Sequence, residues 1–278
     1  MKTRKLLGSM LAAMLCTTMA QAQQSSLTQL WTSESTLPIP ESVLYSPTDK
    51  VLYVSLIDGK PWDKDGQGGI AKVGLDGKVI SNTWVTGLHA PKGMGIVGNQ
   101  LYVADMDEVV VIDRKSGKVT QRIAIEGGQH LNDVSANKKG EVYVSDMQTG
   151  KIHLIKDGKA STYYETSANP NGVLSVNDGL LMAIGGKLLK LDAKKNVTTL
   201  AEGMDASTDG IEEIRPGEYL VSCWSGVVYH VKSDGSKHTL LDTRQDKTNS
   251  ADIGYDPVKK IVYVPTFMKN NVTAYQLK

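Results

Sequence analysis

Glu41, Asn132, Asn171 and Asp209 are the residues through which this chain could do chemistry. Each stands nine or ten residues ahead of an apolar strand that reads x-Tyr-Val-x or a close variant. Lys92 and Ala251 occupy the same register in two further units. Two carboxylates and two amide oxygens brought to one point, with water completing the shell, suit a hard divalent cation: Ca²⁺ first, with Mg²⁺, Mn²⁺ or Zn²⁺ as alternatives. A structural zinc site is excluded, because no Cys/His ligand set accompanies them. Asn and Asp at a strand start serve tight turns everywhere, and taken singly Asn132 or Asn171 says no more than that. Glu41 is not a turn residue, and turn chemistry does not account for four oxygen donors in one register.

The elements that must position these residues repeat six times. Val51-Leu52-Tyr53-Val54, Leu101-Tyr102-Val103-Ala104 and Val142-Tyr143-Val144-Ser145 are three of the recurring strands. Leu180-Leu181-Met182-Ala183, Tyr219-Leu220-Val221-Ser222 and Ile261-Val262-Tyr263-Val264 are the others. A repeat of roughly forty residues built from strands alone predicts an all-β, six-bladed β-propeller, in which the first strand of every blade lines one central channel. In the third unit, turn signals at Asn137 to Gly140, Gln148 to Gly150 and Asp157-Gly158 separate four strands. The sixth unit stops after three, near Leu277. The segment Leu27 to Thr32 is then expected to close the last blade and remove an exposed sheet edge.

Composition narrows the function. Lys2, Arg4 and Lys5, the apolar stretch Leu6 to Ala20 and the small residues Ala20 and Ala22 read as a signal peptide over residues 1–22. A single propeller domain of residues 23–278 remains, expected in the periplasm or secreted. The apolar stretch is short for a transmembrane helix and no second one follows, so membrane insertion is not expected. Cleavage turns the formal charge of +1 into about −2, which argues against a nucleic-acid partner. It also leaves Cys223 as the one cysteine, so no internal disulfide is possible. No phosphate-binding loop, dinucleotide fingerprint, H-E-x-x-H or G-x-S-x-G occurs, so neither a nucleotide partner nor serine-hydrolase chemistry is expected.

Short motifs at the ring positions resemble the gluconolactonase/regucalcin (senescence-marker) family of six-bladed propellers. Pro40-Glu41-Ser42-Val43 resembles the family's opening Glu-Gly-Pro, and Leu131-Asn132-Asp133, with Gly140 following, its Asn-Asp motif. Pro170-Asn171-Gly172 resembles its Asn-Gly motif and Thr208-Asp209-Gly210 its Pro-Asp-Gly motif. The resemblance implies Glu41, Asn171 and Asp209 as metal ligands, Asp209 also as catalytic base, and Asn132 beside metal and substrate. It implies a small, sugar-derived lactone as substrate. The chain departs from the family where His130 and Leu131 replace an arginine ahead of the Asn-Asp pair, and where Lys92 enters the ring.

Blade 1 carries an enlarged loop from Ile57 to Gly68, over the face where the first strands begin. Loops of this length in compact domains are commonly functional lids. Trp62 on it is expected to cap a ligand, with Trp224 on the opposite wall and Lys92 and His130 within reach as substrate contacts. Asp63-x-Asp65-Gly66 lacks the distal Glu and flanking helices of an EF-hand. Asp105 and Asp146 read as turn caps, His153, His230 and His238 as structural, and Cys223 as an inert thiol. Two functions follow from this reading: a metal-dependent hydrolase opening a lactone or similar cyclic ester, or a non-catalytic exported binding or scaffold propeller that retains the cation.

Overall fold

A computed structural model describes residues 25–278; the predicted signal peptide lies outside the described residues. Six four-stranded antiparallel sheets are arranged as the blades of a propeller. Blade 1 starts at Pro40–Ser46, blade 2 at Pro91–Val97 and blade 3 at Leu131–Ala136. Blade 4 starts at Val173–Val176, blade 5 at Thr208–Arg215 and blade 6 at Gly254–Asp256. One helical turn, Phe267–Lys269, interrupts the strands. Among the described residues no helix is long and apolar enough to cross a membrane.

The repeated second strands are apolar because neighbouring blades cover both of their faces. Val51–Leu56 is buried throughout, whereas the outermost strand of the same blade, Val79–Leu88, is largely exposed. Six apolar clusters fill the gaps between adjacent blades and close the ring. Leu52, Val54 and Ala71 of blade 1 meet Tyr263, Val272 and Ala274 of blade 6. Leu220 and Val228 of blade 5 meet Ile253, Tyr255 and Val262. Leu27–Thr32 pairs antiparallel with Val272–Leu277, from Leu27 opposite Leu277 to Thr32 opposite Thr273. This is the expected closure; it joins the two ends of the described chain in one sheet and so resists opening of the ring. The Asp157-Gly158 turn has both residues at positive φ, 52° and 73°, the geometry of a two-residue hairpin.

Candidate functional site

A backbone irregularity aims the ring residues into the channel. In blade 1 Pro40 pairs with Leu56 and Val43 with Val54, so Glu41 and Ser42 fall outside the ladder. The same shift lies between Pro91 and Met94, Leu131 and Val134, and Thr208 and Ile211. A bulge of this kind bends the strand and redirects a side chain. The amides it frees are recaptured by serines on the second strands. Ser42, Asp133 and Gly210 donate their N–H groups to the hydroxyls of Ser55, Ser145 and Ser222, each at 2.9 Å. The glycines after Asn171 and Asp209 answer crowding rather than turn geometry, since neither has a positive φ. A Cβ on Gly172 would lie 1.8 Å from the Asp209 carbonyl oxygen, and one on Gly210 2.3 Å from Asp252 Oδ1.

The bulges deliver Glu41, Lys92, Asn132 and Asp209, and the unbulged approach to the first strand of blade 4 delivers Asn171, to one cavity of about 580 Å³, within the usual range of small-molecule sites. Ala251, the sixth ring residue, packs among Ile57, Ala90, Met106 and Phe267 instead. Four side-chain oxygens in this ring are buried without a hydrogen-bond donor: Glu41 Oε2, Asn132 Oδ1, Asn171 Oδ1 and Asp209 Oδ1. Buried polar atoms are nearly always paired, and an unpaired one carries its full desolvation cost. Oxygens without donors around one space suit a hard cation. Among the described residues no group of three or more His, Cys, Asp or Glu is placed to hold a metal; here two of the four donors are amides.

The electrostatics ask for positive charge. Burial pushes the Glu41 carboxyl up to about 7, with Lys92 pulling it down and Asp133 adding to the rise. Burial, then the Glu41 and Asp133 carboxylates, hold Asp209 well above the usual carboxylate range, against the pull of Lys92. Two like charges this close in a buried channel do not ionise together without a counterion. Further along the channel a second cavity of about 200 Å³ is lined by Ser42, Asp133, Glu212 and Asp252 among others. Asp133, raised by burial to about 6, accepts the amides of Val134 and Val173. Asp252 accepts the Ser42 hydroxyl. These carboxylates follow the ring one step along the first strands, a register at which alternation in a regular strand would have turned them away.

Lys92 does not pair with the ring carboxylates. Its ammonium donates to the carbonyls of Pro61 at 2.8 Å and Ala90 at 3.2 Å, and lies 4.1 Å from the centre of the Trp62 ring. Among the described residues it makes no ion pair, and burial lowers its pKa against the opposing pull of Glu41, Asp105 and Asp209. It therefore holds the enlarged blade 1 loop down over the cavity. His130 is not on the cavity wall. It stacks on Trp62, with ring centres 4.1 Å apart and planes 15° apart, so its expected role as a direct substrate contact becomes one of backing the tryptophan. Trp62 and Trp224 both line the cavity, and Trp224 meets Phe267 edge-on at 5.6 Å.

Phe267, Met147, Ile57 and Ile184 also line the cavity and escaped the sequence reading. Each stands at or within two residues of the end of a second strand, as Trp224 does, so the repeat does carry a register for them; their varied apolar types conceal it. Asp105 and Asp146 do more than cap turns. Asp105 accepts the amides of His89 and Ala90, and Asp146 those of Gln129 and His130 as well as Gln148 and Thr149. Each thereby fixes the segment leading into the ring residue of its blade. Cys223 is fully buried, and burial drives its thiol far above the ordinary value, so it is inert.

No protein-family model matches the chain, and no curated protein matches it. Among solved structures it is similar to one described as a streptogramin B lyase, with a TM-score of 0.66 and 10% identity over 92% of this chain and 98% of that one. It is similar to the selenomethionine-substituted virginiamycin B lyase from Staphylococcus aureus, with a TM-score of 0.61 and 13% identity over 92% of this chain and 100% of that one. A structural-genomics protein of unknown function from Bacteroides thetaiotaomicron gives 0.67 and 11% over 92% of this chain and 76% of that one. Likeness at these identities shows shared architecture and nothing finer: the chain is a six-bladed β-propeller.

Proposed function

We propose that this protein is an exported, cation-dependent hydrolase that opens a lactone or similar cyclic ester in the central channel. One observation carries the reading: Glu41, Asn132, Asn171 and Asp209 line a single cavity, and each keeps one buried side-chain oxygen without a hydrogen-bond donor. Glu41, Asn171 and Asp209 would hold the ion, Ca²⁺ in the first place. When bound, such an ion polarises the ester carbonyl oxygen and favours ionisation of water. Asp209 then accepts the proton of the attacking water. The water oxygen bonds to the carbonyl carbon, the ring C–O bond breaks, and the proton returns from Asp209 to the departing alkoxide, leaving a hydroxy acid. The raised pKa of Asp209 in the unliganded channel fits this exchange, and the ion's charge opposes it. Asn132 orients the substrate; its Nδ2 rests on Met147 Sδ at 2.9 Å, which fixes the amide with Oδ1 free. Lys92 and Trp62 hold the loop that excludes water.

A second reading, ligand capture without turnover, is favoured by the same Lys92. Among the described residues it is the one basic side chain lining the cavity, and its ammonium is committed to Pro61 and Ala90 rather than free to stabilise an oxyanion. A pH-indicator screen of lactones with Ca²⁺, Mg²⁺, Mn²⁺ or Zn²⁺ separates the two. Turnover lost in Asp209→Ala supports the hydrolase. Unchanged turnover in that variant overturns the site. No turnover with any lactone, alongside calorimetric cation binding, favours capture. Export to the periplasm or medium is tested by intact mass of the native product, expected to begin at Gln23.

A further inference from the structure

The walls of the cavity differ in kind from its floor. Besides the ring residues the lining includes Ile57, Ile184, Met147, Trp62, Trp224 and Phe267. Of the hydroxyls in the lining, Ser207 Oγ donates to Asp205 and accepts from the Ser225 amide, while Thr208 Oγ1 accepts the Gly186 amide and keeps its O–H to donate. Asn169, exposed at the rim, is a further polar exception. Phe267 is held in its place at a cost. Its φ is 51°, in the left-handed region that bulky side chains rarely occupy. The turn that imposes this is closed by the Asn270 amide on the Phe267 carbonyl and by Thr266 Oγ1 on Asn271. Strain retained in this way beside a cavity marks a side chain whose position matters. Trp224 remains 44% exposed against it.

We infer that the substrate class of this site is apolar: a cyclic ester carrying an alkyl or aryl body, its carbonyl end on the oxygen floor and its body against Trp62, Ile184, Phe267 and Trp224. The inference rests on the hydrolase reading for the ester group and on the wall alone for the apolar body. A polyhydroxylated sugar lactone would bring several hydroxyls against walls with almost no free partner, and each left unpaired costs on the order of tenfold in affinity. The sugar-derived substrate implied by family resemblance therefore does not fit these walls.

Matched δ-lactams, which keep the carbonyl and resist hydrolysis, separate the inference from the hydrolase reading. Binding of an alkyl-substituted δ-lactam and of gluconolactam to the full mature chain with Ca²⁺ is measured by calorimetry and by tryptophan fluorescence. The alkyl lactam is expected to bind about 100-fold more tightly. Trp224→Ser, at an exposed position, and Ile184→Asn are expected to weaken it about tenfold each while leaving Ca²⁺ affinity unchanged. Equal or tighter binding of gluconolactam, or no binding of either lactam, overturns the inference. Tight alkyl-lactam binding without turnover of the alkyl lactone sinks the hydrolase reading and leaves the inference standing. Preferred turnover of gluconolactone does the reverse.

Discussion

The Ser222 hydroxyl accepts the amide of Gly210 at 2.9 Å and donates to the carbonyl of Ala251 at 2.7 Å. One buried side chain thus ties the residue after Asp209 to the ring position of the next blade. Ser222→Ala leaves the buried Gly210 amide unpaired and is expected to cost about 1–3 kcal/mol in urea unfolding. It should also weaken cation binding. Ser145→Ala, which frees the Asp133 amide, is expected to match it in stability. Ser222→Ala with unchanged stability would show that the bulge needs no such support.

Glu41→Gln should have effects of opposite sign with and without the cation. In chelator at pH 8 the variant removes a buried charge that lacks a counterion and is expected to unfold at higher urea than the parent. With millimolar Ca²⁺ it loses a ligand and most of the ion's stabilisation, which scales with occupancy of the folded state. Asp209→Asn is expected to lower turnover by about 10²–10⁴-fold, the usual weight of a general base. Thermal scans with and without Ca²⁺, beside lactone kinetics, read both.

The pH dependence of stability follows from carboxyls raised by burial. Glu41, at about 7 when folded against an ordinary 4.5, binds a proton in the folded state that the unfolded chain has released. Asp133, at about 6 against 3.8, behaves alike. Their contribution is therefore fully present below about pH 4 and lost as pH rises through about 6 to 7. In chelator, stability should fall between pH 5 and 8 by a few kcal/mol. Ca²⁺ binding should strengthen over the same range as the proton it displaces becomes easier to remove. A flat profile in chelator would contradict the buried titration of these groups.

Lys92→Met should tighten cation binding about tenfold by removing a positive charge near Glu41 and Asp209. The same change frees the carbonyls of Pro61 and Ala90 and the face of Trp62. Proteolytic nicking within Ile57 to Gly68 is therefore expected to speed up, and Trp62 fluorescence to shift to longer wavelength. Unaltered nicking would show that Lys92 does not hold the loop.

Much of this molecule is legible from local pattern. The second strands lie between blades, so both faces had to be apolar, and Leu52-Tyr53-Val54 says so in its residue types. The number of blades and the closing role of Leu27 to Thr32 follow from counting such strands. The register of Glu41, Asn132, Asn171 and Asp209 is equally local, because each stands nine or ten residues ahead of its second strand.

What only the tertiary structure decided is where side chains go once the ladder is broken. The bulges at Glu41, Lys92, Asn132 and Asp209 turn successive residues into the channel, so Asp133 reaches a second cavity that regular alternation does not predict, where it meets Asp252 from the segment ahead of blade 6. The Lys92 ammonium is directed by the carbonyls of Pro61 and Ala90, one of them on a loop more than thirty residues away. The apolar wall is assembled from Phe267, Met147 and Ile184, which differ in type but all stand at or just past the ends of second strands, and meet because six blades converge on one axis. A repeat specifies the ring by spacing; its chemistry depends on contacts between blades that no single repeat contains.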